Sequence, residues 1–464
     1  VTTTTTGSTG RRSRAGRSGR PQIPHREPAG GTGTLEAAIG RERNPLKRLL
    51  KVLGPGFITG ASDDDPSGIG TYATAGASLG YTTLWMALCT FPMMAAVQYT
   101  CAKIGMVSGQ GLAGVLRRHY SRGLLYPAVA GLIVANTINA GADIGAIAAA
   151  INLLLPVVPI WSAIVPIALI ILALQIWGSY RLIASTFKWL ALALVAYIGS
   201  ALFAHPSWGE VLHATLVPTL RADPAFLTTL VAILGTTISP YLFFWQADQE
   251  VEEEVSMGRT RLWQRVGATQ KELKYAAWDV NIGMFFSNVV MYFIILATAA
   301  TLFKAGKTDI QSATDAAEAL RPLAGPAATL LLAIGLIGAG TMAVPILTGS
   351  AAYALSQALG WRFGLDRKPA TAKQFYAIIV VSTLAGVAIN FAGINPIDAL
   401  FWAAVINGLL APPLLALVMV VANNRAIMGN RVNGVWVNAL GWLTTLAMLG
   451  AAIGLIVTLV QSRG

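Results

Sequence analysis

Three consecutive carboxylates, Asp63, Asp64 and Asp65, precede Pro66 inside the run GPGFITGASDDDPSGIGTYATAGASLG at 54–80, which is otherwise apolar enough to cross a bilayer. A carboxylate at membrane depth costs several kcal/mol, so it faces a bundle interior or a water-filled cavity. Pro66 removes a backbone donor, and Gly68 and Gly70 loosen the helix, as expected where a spanning helix is unwound midway. Such a break frees backbone carbonyls beside a carboxylate, which is a cation site. The competing reading is a solvated loop between two short hydrophobic pieces. A second interruption favours the break: LVAILGTTISPYLFFWQADQEVEEE, from Leu230, carries Gly235, Thr236, Thr237, Ser239 and Pro240 within an apolar run.

The elements that hold these residues follow from composition. The chain has 464 residues, 55% of them hydrophobic and only 12% charged, with a mean hydropathy of +0.60. That excludes a soluble enzyme and predicts an all-α polytopic membrane protein. Eleven stretches of about the 20 residues that a bilayer requires are predicted at 54–79, 82–106, 124–155, 160–179, 186–204, 226–249, 276–303, 326–357, 374–393, 398–421 and 436–460. The interruptions fall in spans one and six, five spans apart, so two halves of the chain run in opposite senses. Broken helices at matching positions of inverted repeats point to a midplane substrate site in secondary transporters. Repeat one is placed at about 54–204, repeat two at about 226–421 and an extra helix at about 436–460, within a membrane domain covering 46–464.

Residues 1–45 are rich in Thr, Gly, Ser and Arg and read as a disordered basic tail. The tail lacks the amphipathic face of a mitochondrial targeting peptide, and no cleavable secretory signal is present; the first span itself would direct insertion. With the tail cytoplasmic and the spans alternating, inside segments collect 28 of the 33 Lys and Arg. This bias predicts a cytoplasmic N-terminus, an external C-terminus and a plasma or bacterial inner membrane location. The formal charge of +12 then reflects loops facing anionic lipid, and no nucleic-acid partner is needed. Cys89 and Cys101 stand about 18 Å apart along one helix, beyond disulfide reach. His25, His119, His205 and His213 fall in the tail or loops without ligand spacing, so no zinc site and no cofactor are expected.

At the two interruptions the chain resembles the Nramp family of divalent-metal transporters. The family's Asp-Pro-Gly-Asn stands here as Asp65, Pro66, Ser67 and Gly68, and its Gly-Ala-Thr-Val-Met-Pro-His as Gly235, Thr236, Thr237, Ile238, Ser239, Pro240 and Tyr241. GADIGAIAAAINLLLP in span three, and the run from Pro412 to RAIMG ending at Gly429, are also similar to family patterns. The resemblance covers about residues 50–430 and implies a LeuT-type fold of two inverted five-helix repeats, with helices one and six broken. It further implies a metal site at Asp65, Gly68, Thr236 and Ser239, the positions of the family's Asp, Asn, Ala carbonyl and Met.

The departures from the family matter as much. Only the Asp is retained; Gly68 replaces the Asn and Ser239 the thioether. Soft sulfur favours transition metals, whereas hydroxyl, carboxylate and carbonyl oxygens suit hard cations. Mg²⁺, which keeps several waters and binds one or two carboxylates, fits a roomier all-oxygen pocket, and the pattern is most like the Nramp-related magnesium transporter branch. The family's helix-six histidines become Tyr241 and Gln246, and its helix-three acidic positions become Ala140 and Asp143, while Lys373 and Gln374 stand where an Arg pair would open span nine. With no histidine and few buried acid or base partners, proton coupling is expected to be weak or absent. Two charges moving down about 100 mV already release roughly 4.6 kcal/mol.

The expected function is therefore import of Mg²⁺, Mn²⁺ or both by alternating access, with the divalent ion and the bilayer as partners and the oligomeric state undetermined. Asp65 is the primary ligand. Asp63, Asp64, Thr237, Tyr241 and Gln246 are expected along the pathway or behind the first ligands. Asn136, Asn139 and Asp143 recur at helical spacing on span three and either line the pathway or lock helices together. The alternatives are a proton-coupled Mn²⁺ or Fe²⁺ symporter, or a sodium-coupled organic-solute carrier on the same fold, which three carboxylates would disfavour for anionic substrates. A channel on this scaffold is not excluded by the residues. An intramembrane aspartyl protease needs a carboxylate from each of two helices, and only the first span is strongly acidic.

Overall fold

The computed structural model describes residues 54–178, 196–310, 312–365 and 367–461. The tail at 1–45, the start of the membrane domain at 46–53, most of the fifth span, and Arg181 and Lys188, expected on the cytoplasmic side, lie outside the described residues. The first span is broken: α1, Pro55–Asp63, ends at Asp64, and α2, Pro66–Leu79, starts with proline in its first turn. Proline has no N–H to give to α1 and its fixed φ suits a helix start, so the break falls where the sequence places Pro66. A 3-10 turn, Gly80–Thr83, leads into α3, Trp85–Ser108, and a short α4, Leu112–His119, precedes α5, Arg122–Leu154. Next come α6, Ile160–Trp177, then α7, Ala196–Phe203, and α8, Trp208–Leu216. The sixth span repeats the break, with α9, Pro224–Thr237, and α10, Pro240–Ser256, separated by Ile238 and Ser239. The chain continues through α11, Gln270–Thr298, α12, Ala328–Leu359, α13, Lys373–Asn390, α14, Pro396–Asn423, and α15, Val435–Gln461.

By length and hydropathy, eight of the described spans can cross a membrane, counting α9 with α10 as one. The expected spans missing from that set have physical reasons. The first is split into pieces of 9 and 14 residues that carry the Asp triplet. The second, α3, reaches the threshold only together with α2, to which it is bent by 110°. The fifth falls mostly outside the described residues. His119 and His213, expected in loops, instead sit on the short helices α4 and α8, of 8 and 9 residues, into which these connections fold.

Packing follows a five-span offset. In the first span α2 rests on α11, the seventh; in the sixth, α10 rests on α3, the second. The third and eighth spans, α5 and α12, lie along one another, and α6 and α13 complete a group with them. Small residues permit this closeness. A Cβ on Gly60 would stand 2.6 Å from Gly283 Cα, where α1 crosses α11, and a Cβ on Gly235 would stand 2.6 Å from Gly408 Cα, where α9 crosses α14. The eleventh span, α15, packs on α14 and α9 at the periphery. Its outer face exposes Leu443, Leu446, Ile453, Ile456 and Val457, as expected of a lipid-facing surface.

Candidate metal centre

The two breaks meet inside the bundle. Asp65, 1% exposed, caps α2: its Oδ1 accepts the Gly68 backbone N–H at 2.7 Å and the Ser67 hydroxyl at 2.8 Å. Its Oδ2 accepts the Asn139 amide of α5 at 3.2 Å and the Tyr241 hydroxyl of α10 at 3.3 Å. Tyr241 also donates to the Ser62 carbonyl at 3.1 Å, so one phenol joins the α1 end of the first break to the second break. Four elements thus converge on Asp65: α1, α2, α5 and α10.

Gly68 faces the sixth span. A Cβ there would lie 3.2 Å from both the Asp63 carbonyl and Thr236 Oγ1, and 3.4 Å from the Tyr72 ring. The Thr236 hydroxyl is buried and accepts or donates no hydrogen bond. Ser239 turns its hydroxyl back on its own helix, donating to the Gly235 carbonyl at 2.8 Å and the Thr236 carbonyl at 2.7 Å, which leaves its oxygen lone pairs as the acceptor face. The four residues expected at the site are therefore together, but the Thr236 carbonyl is already engaged by Ser239.

The other expected pathway residues divide. Asp63 and Asp64 turn away from Asp65 to share the Ser287 hydroxyl of α11, at 2.7 and 3.2 Å. Among the described residues, no three His, Cys, Asp or Glu side chains converge as a metal cage. Thr237 bonds back to the Ile233 carbonyl at 2.7 Å, as Ser and Thr commonly do in membrane helices, and takes no part in the centre. Asn136 locks α5 to α12 through the Leu347 carbonyl at 2.9 Å, the interhelical role, whereas Asn139 serves Asp65. Asp143 is fully buried, with both oxygens lacking a hydrogen-bond partner and the Ser67 backbone facing it. Gln246 donates to Glu250 at 2.8 Å, further along α10.

The paucity of buried acids expected from the sequence does not hold. Asp248, Glu250 and Glu254 of α10 and Asp279 of α11 are all at most 6% exposed. They lie in a polar helix end that reads as a solvated face, and only tertiary packing buries it. Asp248 accepts from Gln357, while Glu254 pairs with Arg259 at 3.3 Å. Asp279 caps the start of α1, accepting the Gly54, Gly56 and Phe57 N–H groups at 2.8, 2.7 and 3.1 Å. Ser287, Tyr72 and Asn407 were also missed: Asn407 of α14 is 1% exposed with its whole amide unpartnered. Isolated polar positions in apolar runs, the Ser287–Asn288 pair and Asn407, were the one available signal for Ser287 and Asn407.

Known proteins share the sequence pattern and the fold. The family model described as natural resistance-associated macrophage protein-like, Nramp, matches residues 56–458. The divalent metal cation transporter MntH of Klebsiella pneumoniae subsp. pneumoniae is 26% identical over 407 residues, covering 86% of this chain and 92% of that protein. The manganese transporter of Eremococcus coleocola superposes with a TM-score of 0.71 at 21% identity, over 90% of this chain and 88% of that one. Mhp1, a nucleobase-cation-symport-1 family transporter, gives 0.56 at 16% identity over 88% of this chain and 90% of its own. The architecture is the LeuT-type fold with helices one and six broken, and the chain belongs to the Nramp family.

Proposed function

We propose that this protein imports divalent cations across the plasma or bacterial inner membrane by alternating access, with Mg²⁺ preferred over soft transition metals and little or no proton coupling. MntH and the Eremococcus transporter, named for divalent metal and manganese, support the substrate class. The observation that carries the finer reading is the donor set at the junction of the two breaks. Asp65, Gly68, Thr236 and Ser239 present carboxylate, carbonyl and hydroxyl oxygen, with no thioether. Oxygen donors favour hard cations, and Mg²⁺ is commonly bound through one or two carboxylates. The positive-inside bias supports a cytoplasmic N-terminus and an external C-terminus.

Asp65 would hold the ion directly, exchanging the Asn139 and Tyr241 bonds for it, and those two groups would orient the carboxylate. Uptake into proteoliposomes under an imposed inside-negative potential tests the assignment. Asp65→Ala at matched reconstitution is expected to abolish it; uptake near the parent rate would remove Asp65 from the site. A second reading, proton-coupled transition-metal symport, is favoured by one observation: Asp143, Asp248 and Glu250 supply buried carboxyl groups that could carry protons.

A further inference from the structure

The two ends of the first break have opposite electrostatic character. Asp65 stands at the amino end of α2, where free N–H groups carry partial positive charge; the Gly68 N–H, the Ser67 hydroxyl and the Asn139 amide donate to its two oxygens, and the Tyr241 hydroxyl is shared between it and the Ser62 carbonyl. Asp63 and Asp64 stand at the carboxyl end of α1, where the helix already carries partial negative charge. They are 0% and 2% exposed. One hydroxyl, Ser287, lies against both, and its single proton can serve only one of them. Asp63 Oδ1 and Asp64 Oδ2 have no partner, and neither residue is ion-paired with a Lys, Arg or His among the described residues. Two adjacent buried carboxylates at a negative helix end are strongly unfavourable unless a cation or bound protons compensate them.

One further side chain points to the same place. Tyr72 of α2 is fully buried, and its hydroxyl, with no hydrogen bond to either carboxylate, faces the aspartates and Thr236. Oxygens from α1 and α2 therefore gather beside the Ser287 hydroxyl of α11.

We propose that Asp63, Asp64 and the Ser287 hydroxyl form a second cation site, separate from Asp65, that takes a hard divalent cation. The two carboxylates match two positive charges, and the all-oxygen donor set suits an ion that keeps some of its water. Half-helix carboxyl ends are where broken-helix transporters hold cations. The site rests on the divalent-cation reading above. With the N-terminus inside, α1 is the cytoplasmic half of span one, so an ion at Asp63 and Asp64 is one step beyond Asp65 on the way in. Two sites in series let the second ion weaken the hold of the first, as in multi-site conduction.

Counting bound Mn²⁺ by electron paramagnetic resonance, on the full chain purified in detergent, tests this. The parent is expected to bind two ions, both displaced by Mg²⁺, while Asp63→Asn with Asp64→Asn binds one and Asp65→Asn binds one. Ser287→Ala should keep both but weaken one about tenfold. Thermal unfolding in the same detergent checks folding, and should the double variant not fold, Ser287→Ala decides. A parent that binds one ion, lost only in Asp65→Asn, overturns the second site and leaves the transport reading intact. A parent that neither binds nor transports any divalent cation overturns the transport reading itself.

Discussion

Ser239 is the residue at which metal preference should be most open to change. Its hydroxyl is tied to the Gly235 and Thr236 carbonyls, so Ser239→Met would free those carbonyls and put a thioether at the second break. The variant is expected to shift competition toward Mn²⁺ or Cd²⁺ over Mg²⁺ by about tenfold, the equivalent of one first-contact ligand. Measuring both metals in one reaction separates preference from turnover. An unchanged Mg²⁺-to-Mn²⁺ ratio would place selectivity elsewhere on the path. Gly68→Asn, the companion change, has less room: its Cβ would meet the Asp63 carbonyl and Thr236 at 3.2 Å. It should therefore reduce turnover even where it raises affinity for Mn²⁺. Asp65, Pro66, Ser239 and Pro240 were legible in the sequence because polar and helix-breaking residues stand out in apolar runs. The direction each side chain takes was not. Thr237 and Ser239 both turn back on their own helix, and the partner of Asp63 and Asp64 lies more than two hundred residues away.

At the scale of elements, α1 is held mainly by other helices, above all α11. Its first turn has no capping side chain of its own, and Asp279 of α11 supplies the acceptor for three of its N–H groups. The close crossing at Gly60 and Gly283 holds its middle, and Tyr241 holds its carboxyl end through Ser62. Asp279→Ala should release the amino end of α1 and cost about 1–3 kcal/mol in the state described, the usual penalty for orphaned buried donors. Labelling of a cysteine placed near Ser62 should then speed up; unchanged labelling would show that Asp279 does not restrain α1. Gly60→Ala should lower thermal stability by about 1–3 kcal/mol, because backbone on α11 must move to admit the methyl group. The long described spans were readable from hydropathy and the two breaks from Pro66 and Pro240, but the short helices α4 and α8 were not. The Asp279 cap was not, since a carboxylate at the end of a span looks like any solvated acid until the N-terminus of another helix is placed against it.

For the whole molecule, the balance of charge decides how transport is driven. Replacement of the family histidines by Tyr241 and Gln246 removes the obvious proton carriers, while burial of Asp143, Asp248 and Glu250 returns three carboxyl groups. Asp248 and Glu250 are already bonded to Gln357 and Gln246, which favours a structural role on α10. Asp143 alone faces the centre without a hydrogen-bond partner, so Asp143→Asn is the informative variant: it should leave potential-driven uptake of Mg²⁺ within about threefold of the parent, the scale of a neighbour that touches no ion. The most direct test uses proteoliposomes holding both a Mg²⁺ indicator and a pH indicator, with an imposed inside-negative potential. The account predicts Mg²⁺ entry that follows the potential and produces no proportional acidification. Entry of Mn²⁺ with stoichiometric protons, and none of Mg²⁺, would contradict it.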